Sequence, residues 1–149
     1  MIHFKPFEFI PQKTWNAMRD IYGKPGEAAM RYINTKIPII MDYLRDYFAS
    51  PITINNWATG GGIDGRCLRL PDDPAYKLYS DHTRGNAVDF TVKGIDAPSV
   101  QKLILADLDN LITLGVTGME NGTATWTHLS VSDLDGWGTI QNGIHLLNP

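Results

Sequence analysis

The chain has a single cysteine, Cys67, in 149 residues, so no internal disulfide can form and no cysteine-rich zinc motif can be assembled. Any metal ion would have to be held by histidine and carboxylate side chains. No apolar run comes near the roughly 20 residues that a membrane-spanning helix needs. The opening stretch MIHFKPFEFIPQ lacks the basic start, long apolar segment and small-residue cleavage site of a secretory leader. The expectation is therefore a protein made in the cytoplasm without a signal peptide, which reaches any outside target by another route. Basic residues do not cluster, and 13 Lys and Arg against 16 Asp and Glu give a net charge of −3. Nothing in that balance draws the chain to nucleic acid or to a membrane surface. Gly60-Gly61-Gly62 is not followed by Gly-Lys-Ser or Gly-Lys-Thr, which excludes a phosphate cradle and leaves a flexible loop.

What remains is ordinary globular material: 43% hydrophobic, 19% charged, no repeat and no low-complexity tract. One domain of this size can bury a substantial core. Residues 1–11, with Pro6 and Pro11, read as an extended arm. Residues 12–22 read as a short helix ended by Gly23, Pro25 and Gly26. Together 1–35 form an N-terminal arm and short helix ahead of a domain at 36–149. The clearest helix covers 36–49, where Ile37, Ile40, Met41, Leu44 and Phe48 share a face, Pro38 fits the first turn, and Ser50-Pro51 stop it. Residues 52–57 alternate as a strand, and 58–80 form a long polar loop of the length that is usually functional or disordered. A second strand covers 86–92. Asp96 and Pro98 start a helix whose apolar stripe runs through Val100, Leu103, Ile104, Leu108 and Leu111. Strands at 113–118 and 124–131 follow, and the tail at 137–149 adds a short final one. This order predicts an α+β fold with a small, mainly antiparallel sheet flanked by helices.

The most informative stretch is Ser80-Asp81-His82-Thr83-Arg84-Gly85-Asn86-Ala87-Val88-Asp89. His82 closes the long loop and Asp89 sits inside the next strand. Gly85 lets the backbone turn between them, and Ala87 keeps the space beside the turn small, so both side chains can aim at one point. An imidazole and a carboxylate are two of the three protein ligands typical of catalytic zinc. The third candidate is His128 in Ala124-Thr125-Trp126-Thr127-His128, where Trp126 would share its strand face and wall the site.

Ser-x-His-x-x-Gly-x-Ala-x-Asp, followed some forty residues later by Trp-x-His, resembles the zinc peptidases that cut peptidoglycan cross-bridges. These include the D-Ala-D-Ala carboxypeptidases and the L-alanyl-D-glutamate endolysins of phages, which share a fold with the hedgehog signalling domain. The resemblance covers roughly residues 52–131. It implies one Zn²⁺ on His82, Asp89 and His128, peptidoglycan peptide as substrate, and Ser80 and Trp126 as substrate-binding residues. The family's Ser-Gly-x-Arg segment falls on Arg66-Cys67-Leu68-Arg69, which makes Arg69 the arginine that meets substrate or the developing oxyanion. The carboxylate that the family places three residues before its last histidine is replaced by Thr125. Some branches carry the acid further upstream, and here the nearest is Glu120; Asp133 and Asp81 are weaker substitutes. A small chain of this kind is familiar among phage lysis and tail proteins, which extends the expected partners to other virion proteins and the expected place of action to the cell wall or the virion. The rival reading is a virion structural or interaction protein that keeps the fold and the zinc but has lost turnover. A third is a module that grips the wall peptide without cutting it.

Several residues read more blandly. His3 and His145 lack supporting context and read as surface or tail residues. Cys67 reads as a small loop or core residue. Trp57 and Trp137 read as core aromatics.

Overall fold

Pro11 and Gly23 bracket the first helix. The computed structural model describes residues 1–132, 139–141 and 144–147, and in it α1 runs Gln12–Tyr22, as its pattern predicts. Gly23 ends it in the left-handed region (φ 67°), where a side chain would be strained. Pro25 and Gly26, expected only to terminate, instead open a second helix, α2 (Pro25–Met30). Proline costs nothing at a first helical position, because the N–H it lacks would be unpaired there. The predicted long helix is α3 (Lys36–Phe48), with Ile37, Ile40, Met41 and Leu44 fully buried.

The strand expected at 52–57 is cut to β1 (Ile52–Thr53). Beyond it the Asn55 N–H turns away to the carbonyl of Glu8, and Trp57 begins a 3-10 turn. β2 (Ala87–Val92) follows the long loop. The Asp96 carboxylate caps α4 (Ala97–Ala106) by accepting from the Ser99 N–H at 2.8 Å. The apolar stripe expected in one helix is split at Asp107, and α5 (Leu108–Leu114) carries its second half, with Val100, Ile104, Leu108 and Leu111 all buried. The strand expected at 113–118 is a helix end there. Gly115 (φ 100°) terminates α5, and β3 is Gly118–Glu120. β4 is Thr127–Ser130, and the tail supplies β5 (Thr139–Gln141) and β6 (Ile144–Leu147).

The strands line up in the order β1-β2-β4-β3-β6-β5. Every pairing is antiparallel except β3 with β6. The fold is thus mixed α+β with a mainly antiparallel sheet. Strand pleating sends Val88, Phe90, Leu129 and Met119 into one core with Ile37, Ile40, Met41 and Leu44 of α3 and Val100 and Ile104 of α4. Asp89 and His128 occupy the alternate positions, so they belong to the opposite face.

Residues 1–35 share that core. Phe4, Phe9, Ile10, Ala29 and Ile33 are all buried in it, and the Leu68 N–H reaches the carbonyl of Phe9. Burying a large apolar side chain contributes about 1.5–3 kcal/mol, so the first segment is fastened to the body by Phe4, Phe9 and Ile10. No helix among the described residues is long and apolar enough to cross a membrane.

Candidate metal centre

Three local devices aim three side chains at one point. The first is the β2–β4 ladder, in which Asp89 lies directly across from His128. Directly opposed residues in an antiparallel pair project to the same face. The second is a 3-10 turn, Asp81–Arg84, that carries His82. The Ser80 hydroxyl caps this turn by accepting from the His82 N–H at 3.3 Å. The third is Gly85, which ends the turn at φ 67°. A Cβ on Gly85 would stand 1.8 Å from the carbonyl oxygen of Tyr32, and its own carbonyl accepts from the Asn34 N–H at 2.9 Å. Gly85→Ala should therefore cost more than about 2 kcal/mol, combining left-handed strain with a backbone clash. A shifted urea midpoint at unchanged slope would report it.

The side chains meet tightly. His82 Nδ1 donates to the carbonyl oxygen of Cys67 at 2.8 Å, and its Nε2 lies 3.3 Å from Asp89 Oδ1. His128 Nδ1 lies 2.8 Å from the same oxygen. The other oxygen, Oδ2, accepts from Arg69 Nη2 at 2.7 Å, while Arg69 Nε is tied to the Gly65 carbonyl at 2.9 Å. The Asp89 N–H is held by the carbonyl of Arg66 at 2.6 Å. His82, Asp89 and His128 are 3%, 6% and 6% exposed, so little water competes for them. Burial alone would raise the Asp89 pKa, but hydrogen bonds from His128 and His82 outweigh it and hold the carboxyl well below the usual range. The carboxylate is therefore charged at neutral pH.

This donor set fits a metal ion. One ligand atom from each of the three residues lies within 4.8 Å of the others, and this is the one such cluster among the described residues. Two imidazoles and a carboxylate converging in a buried cluster match the protein-ligand count of a site with one position left open. The carbonyl of Cys67 supplies the outer hydrogen bond that fixes a ligating histidine's tautomer. Arg69 does the same for Asp89, so Arg69→Ala should weaken metal affinity by about 10–100-fold. Titration against a competing chelator would measure it.

The other site candidates fall as follows. Arg69 is at the centre, but its contacts are with Asp89 and Gly65, and it acts on the metal ligand. Ser80 serves as the cap of the His82 turn. Glu120, the last residue of β3, is half-buried. Gly118 opposes Ser130 and Met119 opposes Leu129, where the β3–β4 pairing ends, and Glu120 follows Met119 on the alternate face of β3. Trp126 precedes β4 by one residue and is 37% exposed, so the pleat does not fix its direction. Thr125 is exposed. Asp81 accepts from the Ser132 hydroxyl at 2.9 Å. His3 pairs with Asp46 near the surface, away from the cluster. His145 sits on β6, in register with Gly118. Burial pushes the Cys67 thiol pKa far up, which removes it as a nucleophile. Asp133 and Trp137 lie outside the described residues. Sequence reading missed the Cys67 carbonyl, which no side-chain pattern can reveal, and Asn55, whose buried Oδ1 pins the Arg66 N–H at 3.0 Å. No family model, curated protein or solved structure matches this chain.

Proposed function

We propose that the chain is a zinc-dependent peptidase that hydrolyses an amide bond in peptidoglycan stem or cross-bridge peptides, as a phage lysis or tail-associated wall hydrolase. The observation that carries the reading is the arrangement on three neighbouring strands. Asp89 stands directly across from His128 in the β2–β4 ladder, His82 closes over Asp89, and Glu120 ends β3, the strand on the other side of β4. A metal-dependent hydrolase uses a cation site together with a carboxylate that can act as general base, and Glu120 is the acid on the strand next to His128.

His82, Asp89 and His128 would hold the ion, which when bound supplies Lewis acidity and lowers the pKa of a coordinated water to about 7. Glu120 takes a proton from the attacking water and passes it to the leaving amine. Arg69 holds the Asp89 carboxylate fixed during the reaction. The low exposure of the cluster strengthens each of these electrostatic effects. Trp126, exposed at the start of β4, offers an apolar wall to the peptide.

A second reading has its own support: Thr125, in the family's usual acid position, is exposed and has no carboxylate to offer. On that reading the protein is a virion component or wall-binding module that keeps the centre without turnover. Digestion of purified peptidoglycan, with zinc and in parallel with a chelator, separates the two. The peptidase reading expects fragments that appear only with zinc, and their masses name the bond. No release from a chain that binds one zinc ion would leave the non-catalytic reading.

A further inference from the structure

We propose that Gln101, a buried amide on α4, is a positioning residue of this centre: it clamps the turn that follows Glu120 and so sets where that acid stands relative to the strand of His128. The inference deepens the peptidase reading and rests on it.

Gln101 is polar where the helix calls for an apolar side chain: it is buried on α4 beside the core residues Val100 and Ile104. A buried amide is costly unless its donors and its acceptor are matched. Every match that Gln101 finds lies in the connection between β3 and β4. Its Nε2 donates to the Thr123 carbonyl at 3.1 Å and to the Thr123 hydroxyl at 2.6 Å. Its Oε1 accepts from the Gly122 N–H at 3.2 Å. The Thr123 hydroxyl donates in turn to the carbonyl of Trp126, which closes the turn onto the start of β4. Thr123 is buried as well, so little water competes for this relay. A buried polar network whose members are all paired is rigid.

The turn has little else to hold it. Among the described residues, 121–126 form no backbone-to-backbone hydrogen bond. The β3–β4 pairing ends at Met119 with Leu129, one residue short of Glu120. Glu120 is paired on its other side, with Leu147 of β6. Its place relative to β4 is therefore set by the path from Gly122 to Trp126, which Gln101 fixes from the helix. His128 depends on none of this, because the β2–β4 ladder holds it opposite Asp89. Loss of the amide should thus disturb the acid and leave the metal ligands in place.

The test is a double-mutant cycle in single-turnover rate, run with the full zinc-loaded chain on the muropeptide that peptidoglycan digestion shows to be cut. Gln101→Met keeps the volume and removes the amide. It should lower the rate by about 10–100-fold, the scale of a misplaced reacting group, at unchanged zinc content. In a Glu120→Gln background the same substitution should change the rate by less than about twofold, because the group it positions is already gone. An undiminished rate in Gln101→Met, an equal loss in both backgrounds, or loss of zinc from Gln101→Met would overturn the proposal. A general weakening of the fold gives the second of these patterns and is thereby told apart. If Gln101→Met does not fold, Thr123→Val takes its place in the cycle with the same outcomes, since it removes the hydroxyl that links the amide to the Trp126 carbonyl. Digestion of peptidoglycan by the unmodified chain reads the peptidase assignment separately. No digestion removes that assignment and this role with it, whereas digestion with equal losses in the two backgrounds removes only the role of Gln101.

Discussion

Asp89→Asn should abolish metal binding at stoichiometric concentrations and, with it, all metal-dependent hydrolysis. Asp89 is the hub of the centre: one oxygen faces both histidines and the other takes Arg69. The amide is nearly the same size, so the buried volume is kept, but the charge that a cation and the two imidazoles face is gone. The amide must also turn either its NH₂ or its oxygen toward Arg69, and each choice leaves a donor facing a donor. The loss of affinity should exceed the 10–100-fold typical of losing an outer partner. Equilibrium dialysis against buffered zinc would measure it. Retained stoichiometric binding would place the ion elsewhere.

Glu120→Gln should lower the hydrolysis rate by about 10²–10⁴, the range for removing a general base, with zinc content unchanged. The two effects separate because Glu120 is not among the three clustered ligands. Glu120 ends β3, one residue beyond the last β3–β4 pair, Met119 with Leu129, so it lies at the end of the strand next to the one that carries His128. The intervening residues 121–126 form the β3–β4 connection, so eight residues in sequence span only the turn of a hairpin. Single-turnover rates on a defined muropeptide would give the change. An unaltered rate would remove Glu120 from the mechanism, whatever its register.

The sequence reveals the centre more fully than the architecture around it. His82, Gly85, Ala87 and Asp89 lie within eight residues, where spacing and a turn glycine nearly determine direction, and strand pairing then brings in His128. The fold class was legible for the same reason: the stripes of α3 and of α4 with α5 are period patterns that survive a local break. Three boundaries were not. The end of α5 and the start of β3 depend on Gly115, whose left-handed φ cannot be distinguished in sequence from an ordinary strand-entry glycine. Asn55 and Asn56 take the chain out of the sheet just after β1, through backbone hydrogen bonds to Glu8 and Ile63. The N-terminal 35 residues carry no strong period, yet Phe4, Phe9 and Ile10 are core residues, because long-range packing decided their fate. The role of Arg69 was equally hidden. Motif position singled it out, and only the hydrogen bonds show that it is committed to Asp89 and the Gly65 carbonyl.

Native mass spectrometry of the full chain, titrated with zinc, tests the centre most directly. The account predicts one ion per chain, removed by chelator, and no ion on Asp89→Asn or on His128→Ala. A chain that takes up no zinc, or one that keeps its ion in either variant, would contradict it.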